Sequence, residues 1–191
     1  YLEQRLRERF PGTDIVSGTL AVSVRFSDVE VQLLPAVGCK GAVQIADANQ
    51  KGKWSQVEPR RFATALSARN AEVAKKLIPV VKLAKAVIAA LPEQQQISGY
   101  HAEALAVDVF KGYNGEMTHK AMLRHFFSES SSRVLSPIAD TTGQSIHVDD
   151  NLGSGGSLER KIISDAFARV ARRMQRADAN GRVDEWSALF S

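Results

Sequence analysis

The sequence of 191 residues contains a single cysteine, Cys39, so the chain cannot form an intramolecular disulfide. A lone thiol is typical of proteins that fold in a reducing compartment, and we therefore expect a cytoplasmic protein. Long apolar runs are absent too. The longest candidate, residues 77–91, is interrupted by Pro79, Lys82 and Lys85 and falls short of the about 18 residues that a membrane helix needs. The sequence thus predicts no membrane partner.

Neither sign of charge dominates, and the common ligand-binding motifs are missing. Lys and Arg number 25 against 21 Asp and Glu, which gives a net charge of +4 and an isoelectric point near 9.3. This mild excess permits a phosphate-bearing ligand, but it does not require a nucleic acid. There is no P-loop and no G-x-G-x-x-G motif. No Cys/His metal cluster is predicted either, because the histidines are scattered: His101, His119, His125 and His147.

The order of patterns predicts a strand-rich start and a helical remainder. Residues 20–26 and 29–34 alternate apolar and polar side chains around a two-residue break, which predicts a β-hairpin. Residues 38–53 are expected to form a loop with a short strand at residues 42–45, followed by a connector from Trp54 to Pro59. Beyond it the spacing is helical, with one helix over residues 60–69 and a long helix over residues 71–91. Later helices are capped by Ser98, Thr118 and Ser157, and the apolar residues of the second of them, Met122, Phe126 and Phe127, are expected to face inward. We predict an α+β fold with domains at residues 1–58 and 59–191.

Some polar residues of these elements form a candidate anion site. Lys82 and Lys85 are three residues apart on a mostly apolar helix and share one face. Ser98 and Tyr100 lie at a helix start, where free N–H groups and the helix dipole favour an anion such as a polyphosphate. The alternative is a surface lysine pair, a simple helix cap and a core tyrosine.

Longer stretches carry a resemblance to a known family. Residues 22–36, VSVRFSDVEVQLLPA, resemble the strand pair around the third catalytic carboxylate of the cGAS/DncV-like nucleotidyltransferases. Residues 77–85 and 97–105 continue the pattern. Residues 136–153 are similar to the C-terminal region of the bacterial oligonucleotide cyclases of CBASS anti-phage systems. Each motif is weak alone, but their order and spacing together are specific.

The resemblance implies a fold and a reaction. The fold is the remainder of a nucleotidyltransferase mixed sheet in residues 1–58, followed in residues 59–191 by a helical domain like that of oligoadenylate synthetase. The reaction joins nucleoside triphosphates, ATP among them, into a cyclic oligonucleotide messenger for anti-phage defence. Its implied cofactor is Mg²⁺, with Mn²⁺ as the alternative. CBASS accessory or effector proteins are the implied partners.

The resemblance also assigns residues. Lys85 and Lys82 are expected to hold the donor triphosphate, Ser98 to assist, and Tyr100 to stack on a base. The family's third carboxylate falls on Gln32, and an amide is a poor Mg²⁺ ligand. We therefore expect Glu30, two residues away on the same strand face, to be the catalytic and metal-binding acid. The alternative is that Gln32 marks a weakened or inactive site.

The family's Gly-Ser loop and Asp-x-Asp pair do not occur in this sequence, which opens at Tyr1 inside a helical pattern. We therefore expect a chain that has lost its beginning and is inactive alone. Two other functions stay open. One is a nucleotide- or RNA-binding module without catalysis, and the other is a helical interaction domain.

Overall fold

The computed structural model describes residues 1–18, 20–39, 42–46, 52–142 and 147–191. The chain divides into two compact units. Unit 1 comprises Tyr1–Pro59 with Thr142–Gln144, and unit 2 comprises Arg60–Thr141 with Ser145–Ser191. The helices in the described ranges are α1 Leu2–Arg9, α2 Pro59–Glu72, α3 Leu77–Ala89, α4 Gly99–Val109, α5 His119–Arg133, α6 Leu158–Ala179 and α7 Val183–Ser187, with 3-10 turns at Glu93–Gln95 and Asp150–Leu152.

The first sheet of unit 1 contains the predicted hairpin. Strands β1 (Asp14–Ser17), β2 (Val22–Arg25) and β3 (Glu30–Leu33) pair antiparallel in that order. The hairpin of β2 and β3 is confirmed, whereas β1 was not predicted. Its two apolar residues, Ile15 and Val16, are adjacent in the sequence, so β1 shows no alternation of apolar and polar side chains.

One face of this sheet is apolar because side chains alternate along each strand. Ile15, Val22 and Val24 are buried there, and Leu2 and Leu6 of α1 pack against them. The four-residue spacing of the leucines places both on the inner side of α1. The opposite face of the sheet is therefore left to polar side chains.

The second sheet of unit 1 corrects the expected connector. Strands β4 (Ala36–Cys39), β5 (Ala42–Ala46) and β6 (Trp54–Val57) form an antiparallel sheet in that order. The short strand expected at residues 42–45 is confirmed. The connector from Trp54 was wrong, because Trp54 to Val57 pair with β5. The loop expected between β5 and β6 falls partly on residues 47–51, which lie outside the described residues.

Unit 2 opens with two helices, as predicted, but the boundary between them lies later than expected. The predicted start of the second helix at residue 71 was wrong, because α2 extends to Glu72 and Ala74 and Lys75 adopt positive φ angles of 53° and 61° before α3 begins. The Lys75 N–H donates to the Asn70 carbonyl at 2.7 Å, and the Asn70 side chain accepts from the Ile78 N–H at 3.2 Å. Asn70 thus satisfies backbone groups at the end of α2 and the start of α3.

The remaining helices of unit 2 surround one apolar core. Met122, Phe126 and Phe127 of α5 are fully buried, as predicted, and Phe167 of α6 packs edge-on against Phe127 with ring centroids 5.2 Å apart. The predicted caps are confirmed as well: the hydroxyls of Ser98, Thr118 and Ser157 accept hydrogen bonds from first-turn N–H groups. These caps fix where α4, α5 and α6 begin.

Candidate functional site

Helix α3 brings Lys85 against the N-terminus of α4. A Cβ added at Gly99 would lie 3.3 Å from Lys85 Nζ, so the ammonium group rests beside the first residue of α4. The Ser98 hydroxyl accepts from the His101 N–H at 3.1 Å. Lys85 Nζ also donates to Glu103 Oε1 at 2.5 Å, and both side chains are half-buried. Lys85, Ser98 and the positive end of α4 therefore lie together, with Glu103 as the counter-ion.

Lys82 lies one turn earlier on α3 and is exposed. The apolar face of the same helix is buried, including Leu77, Val81 and Ala84. The two lysines thus differ. Lys85 pairs with Glu103 beside the start of α4, whereas Lys82 is exposed to solvent. We expect Lys82 to contribute less to any ligand than Lys85.

Tyr100 is half-buried, and its side chain contacts other residues of unit 2. Its ring meets Phe62 edge-on at a centroid distance of 4.8 Å, and its hydroxyl donates to Asp140 Oδ1 at 2.9 Å. The ring lines a cavity of about 280 Å³ that is large enough for one aromatic ring system. The other lining side chains include apolar and cationic groups: Phe62, Ile138, Val148, Arg69, Lys111 and Arg133. Lys82, Lys85 and Ser98 do not line this cavity.

Glu30 lies on the polar, exposed face of the first sheet. Arg25 is its cross-strand neighbour and donates to Glu30 Oε2 at 3.0 Å, while Gln32 donates to Oε1 at 3.3 Å. Arg25 also reaches Asp14 on β1, at 3.3 Å. Hydrogen bonds from Arg25, Ser23 and Gln32, in that order of size, lower the pKa of Glu30 below its usual value.

A divalent cation needs more oxygen ligands than these residues offer. Mg²⁺ prefers several oxygen ligands in octahedral geometry, usually with carboxylates among them. Within the described ranges, no group of three or more His, Cys, Asp or Glu side chains could hold a metal ion. Glu30 and Asp14 share one arginine, which supplies the positive charge that a cation would bring. The described residues by themselves therefore do not fit a Mg²⁺ ion.

Sequence reasoning missed a buried polar cluster in unit 2. Arg160 and Asp149 are fully buried, and Arg160 Nη1 donates to Asp149 Oδ2 at 2.6 Å. The guanidinium also donates to the backbone carbonyls of Val134, Asp149 and Gly153. The signal was Arg160 at the third position of α6, where a capping box has Glu or Gln.

His101 of α4 completes this cluster. Its side chain is buried, and Nε2 lies 3.5 Å from Asp149 Oδ2. Burial lowers the pKa of His101 to about 4, and this outweighs the attraction of Asp149. Burial tends to raise the pKa of Asp149, but the hydrogen bonds from Arg160 and the Ile138 N–H hold it below its usual value. At neutral pH the cluster is an Arg160–Asp149 ion pair beside a neutral histidine.

Solved structures of two proteins resemble this chain. CdnC of E. coli MS115-1, in its complex with HORMA-deltaN, matches 100% of this chain and 69% of its own, with a TM-score of 0.72 and 18% identity. CdnC with ATP matches 100% and 70%, with a TM-score of 0.63 and 18% identity. Escherichia coli DncV in its 3′-deoxy GTP-bound form matches 98% and 53%, with a TM-score of 0.77 and 9% identity.

These likenesses establish the fold. The chain has a backbone fold found in parts of CdnC and DncV, and the α+β prediction is confirmed. No family model and no curated protein matches the chain. Among the described helices, none combines the length and apolar character that crossing a bilayer requires.

Proposed function

We propose that this chain is part of a nucleotidyltransferase that joins nucleoside triphosphates into a cyclic oligonucleotide messenger in anti-phage defence. The observation that carries the proposal is the match of at least 98% of the chain to CdnC and DncV, at TM-scores up to 0.77. The family motifs in the sequence support it independently, since residues 22–36, 77–85 and 97–105 supply β2, β3, α3 and α4.

The proposed triphosphate position is the start of α4. Lys85 Nζ lies against Gly99, and the first-turn N–H groups of a helix attract anions. Glu103 neutralises Lys85 in the absence of ligand, so a phosphate binding here competes for the same ammonium group. The solved structures of CdnC with ATP and of DncV with 3′-deoxy GTP support a purine nucleotide as the ligand. ATP is our first choice of substrate.

The proposed base contact is Tyr100. Its ring lines the cavity beside Phe62, and stacking on an aromatic ring accepts any base. The hydrogen bond to Asp140 holds the hydroxyl end of the ring, and the edge-on contact with Phe62 restricts rotation of the ring plane. This role requires the side of the ring that faces the cavity to be open to a ligand.

Glu30 is the proposed acidic residue of the catalytic site, with Mg²⁺ or Mn²⁺ as the proposed cofactor. Glu30 can supply one oxygen ligand, and the other ligands are proposed to lie in residues outside this chain, because the described residues do not form a metal site by themselves. The chain alone is accordingly proposed to be inactive. The ion pair between Glu30 and Arg25 favours a second candidate function, a nucleotide-binding protein without catalysis.

The proposed location of the nucleotidyltransferase is the cytoplasm. Its proposed partners are CBASS accessory or effector proteins, as the CdnC complex with HORMA-deltaN suggests.

A binding experiment tests the nucleotide site. In the longer protein, Lys85→Ala should weaken ATP binding in calorimetry, because it removes the charge at the helix start. Lys82→Ala is the matched control and should weaken it less, since Lys82 is exposed. Tyr100→Phe should retain affinity, whereas Tyr100→Ala should lose about 1–3 kcal/mol of it. Unchanged affinity in both Lys85→Ala and Tyr100→Ala would refute the site.

A second experiment separates catalysis from binding. Glu30→Gln should abolish product formation from labelled triphosphates and Mg²⁺ while ATP still binds, because it removes a ligand charge. Gln32→Ala is the neighbouring control and should retain most activity. If Gln32→Ala abolished activity and Glu30→Gln did not, Glu30 would not be the acid. If neither the parent nor any variant made product but all bound ATP, the binding-only candidate would stand.

A further inference from the structure

Helix α6 carries four arginines at positions i, i+3, i+4 and i+7. Arg169, Arg172, Arg173 and Arg176 are all exposed and share one side of the helix, which we call the arginine face. At a rise of about 1.5 Å per residue the face is about 10 Å long. The proposed nucleotide site uses α3 and α4, so it does not account for this face.

Most N–H donors of the arginine face have no hydrogen-bond partner in the ranges that the structure describes. Arg169 donates to Gln95 Oε1 at 3.2 Å, and Arg173 donates to the Ala188 carbonyl at 3.2 Å. Across the described part of the chain, Arg172 and Arg176 make no side-chain hydrogen bond and none of the four arginines pairs with a carboxylate. Since each guanidinium has five N–H donors, most of them remain for a ligand.

Three other surface cations of unit 2 have carboxylate partners, whereas the four arginines of the arginine face have none among the described residues. Lys120 and Arg124 of α5 both pair with Asp178, and Arg182 pairs with Asp184. Like charges three and four residues apart also repel one another along a helix. Unit 1 has seven basic and seven acidic residues, whereas unit 2 has 18 basic and 14 acidic residues, so the whole positive excess of the chain lies in unit 2.

An open groove lies next to the arginine face and shares Arg172 with it, while Arg169, Arg173 and Arg176 lie beyond its edge. It has a volume of about 650 Å³ and lies between α5 and α6, with Arg172 and Gln175 on one wall and Ser128 and Ser131 on the other. The α5 wall extends from Ala121 to Ser131, about 15 Å at the usual helical rise. A groove of this length fits a short peptide segment better than a single small molecule.

We propose that an acidic segment of a protein partner docks along this groove and pairs its carboxylates with the arginine face. Guanidinium groups bind carboxylates bidentately, which gives orientation as well as attraction. The inference concerns a surface of α5 and α6 and does not depend on the proposed nucleotide chemistry.

The charge pattern favours a short acidic segment over a nucleic acid. Asp165 lies one turn before Arg169 on the same side of α6, and Glu116 lines the groove. A duplex carries a charge about every 1.7 Å along its axis, so it would continue past the arginines onto these carboxylates. A segment with three or four carboxylates ends where the positive face ends.

The test uses the full chain and two defined peptides. One is an alanine-rich helical peptide with glutamates at positions i, i+3, i+4 and i+7, and its control has glutamines at those positions. Fluorescence anisotropy at low salt should show tighter binding of the glutamate peptide. Arg172→Gln and Arg176→Gln should each weaken it about two- to fivefold. Arg182→Gln, which removes an equal charge elsewhere in unit 2, should leave it unchanged.

Two further measurements decide the outcome. Backbone amide shifts on peptide addition should concentrate at Ser128, Ser131 and Gln175, and circular dichroism should show that the exposed substitutions leave the fold intact. Equal binding of the two peptides, no binding of the glutamate peptide, or unchanged affinity in Arg172→Gln/Arg176→Gln would each overturn the proposal. So would a DNA duplex that binds more tightly at the same salt concentration and weakens with the same variants, because the face would then be a nucleic-acid surface.

Discussion

Each unit of this protein contains an arginine between polar partners, and the two groups differ in their surroundings. In unit 2, Arg160 and Asp149 are buried without access to water, and backbone carbonyls take up the remaining guanidinium N–H groups. In unit 1, Arg25 bridges Glu30 and Asp14 on an exposed sheet face. An arginine–carboxylate ion pair is therefore a fixed part of the core in unit 2, whereas in unit 1 it is a surface contact that another ligand can replace.

The difference follows from the cost of moving charges out of water. A buried ion pair is retained only when hydrogen bonds replace the lost water, and Arg160 meets that condition through three carbonyls. An exposed pair gains little, because water and salt screen it. Arg25 can consequently release Glu30 to another ligand at small cost, whereas Asp149 cannot leave Arg160.

The largest effect is expected from breaking the buried pair. Arg160→Met leaves the Asp149 carboxylate buried without its cation, and we expect a loss of about 3–5 kcal/mol in the free energy of unfolding. Urea denaturation at neutral pH measures it. The double variant Arg160→Met/Asp149→Leu is the control and should recover part of the loss, because no uncompensated charge remains. A loss below about 1 kcal/mol in Arg160→Met would contradict the role assigned to the pair.

A smaller effect is expected from pH acting on His101. The pKa of His101 is about 4 in the folded chain, against about 6.5 in an unfolded one. Between these values the unfolded chain binds the proton and the folded chain does not. The contribution of neutral His101 to the free energy of unfolding is therefore complete above about pH 6.5. It falls as the pH drops towards 4, by about 3 kcal/mol in total.

Urea denaturation across this pH range tests the prediction. Carboxylates of both units also titrate below about pH 5, so the informative quantity is the difference between the parent and His101→Gln. The variant buries a neutral amide near Asp149, Arg160 and Arg133, which are the charged groups that act on His101. Its stability should change less between pH 6.5 and 5. Parallel pH profiles for the two proteins would show that His101 does not titrate as described.

The sequence could predict features that depend on local patterns, but not those that depend on contacts between distant residues. The caps of α4 to α6 and the β2–β3 hairpin depend on local patterns, and all were confirmed. The boundary between α2 and α3 was predicted a few residues too early, because Ala74 and Lys75 are not typical left-handed residues, and Asn70 stabilises the turn through contacts across it. Strand β6 was missed because its pairing with β5 is not local.

The candidate site shows the same limit. The helix start at Ser98 and the lysine face with Lys85 can be read from spacing, but their grouping in one site rested on their shared preference for anions and on the family resemblance. The contact of Tyr100 with Phe62 and Asp140 joins residues 38 and 40 positions apart, and periodicity does not report such pairs. The Arg160–Asp149–His101 cluster was missed for that reason. Charged residues are also rarely fully buried, so spacing alone favours the surface.

The smallest effect on stability is expected in unit 1, and it is the sharpest test of the comparison. Arg25→Gln removes an exposed cation, so the melting temperature should shift by less than about 2 °C. The pKa of Glu30 should respond clearly, because the hydrogen bond from Arg25 is the largest cause of its lowered value. We expect that pKa to rise towards the ordinary glutamate value in an NMR titration. Gln32→Ala should raise the pKa of Glu30 less, since the hydrogen bond from Gln32 lowers that pKa less than the one from Arg25 does.

A large drop in the melting temperature of Arg25→Gln would mean that Arg25 is structural, like Arg160. A Glu30 pKa that did not move would mean that Arg25 does not hold this carboxylate in solution.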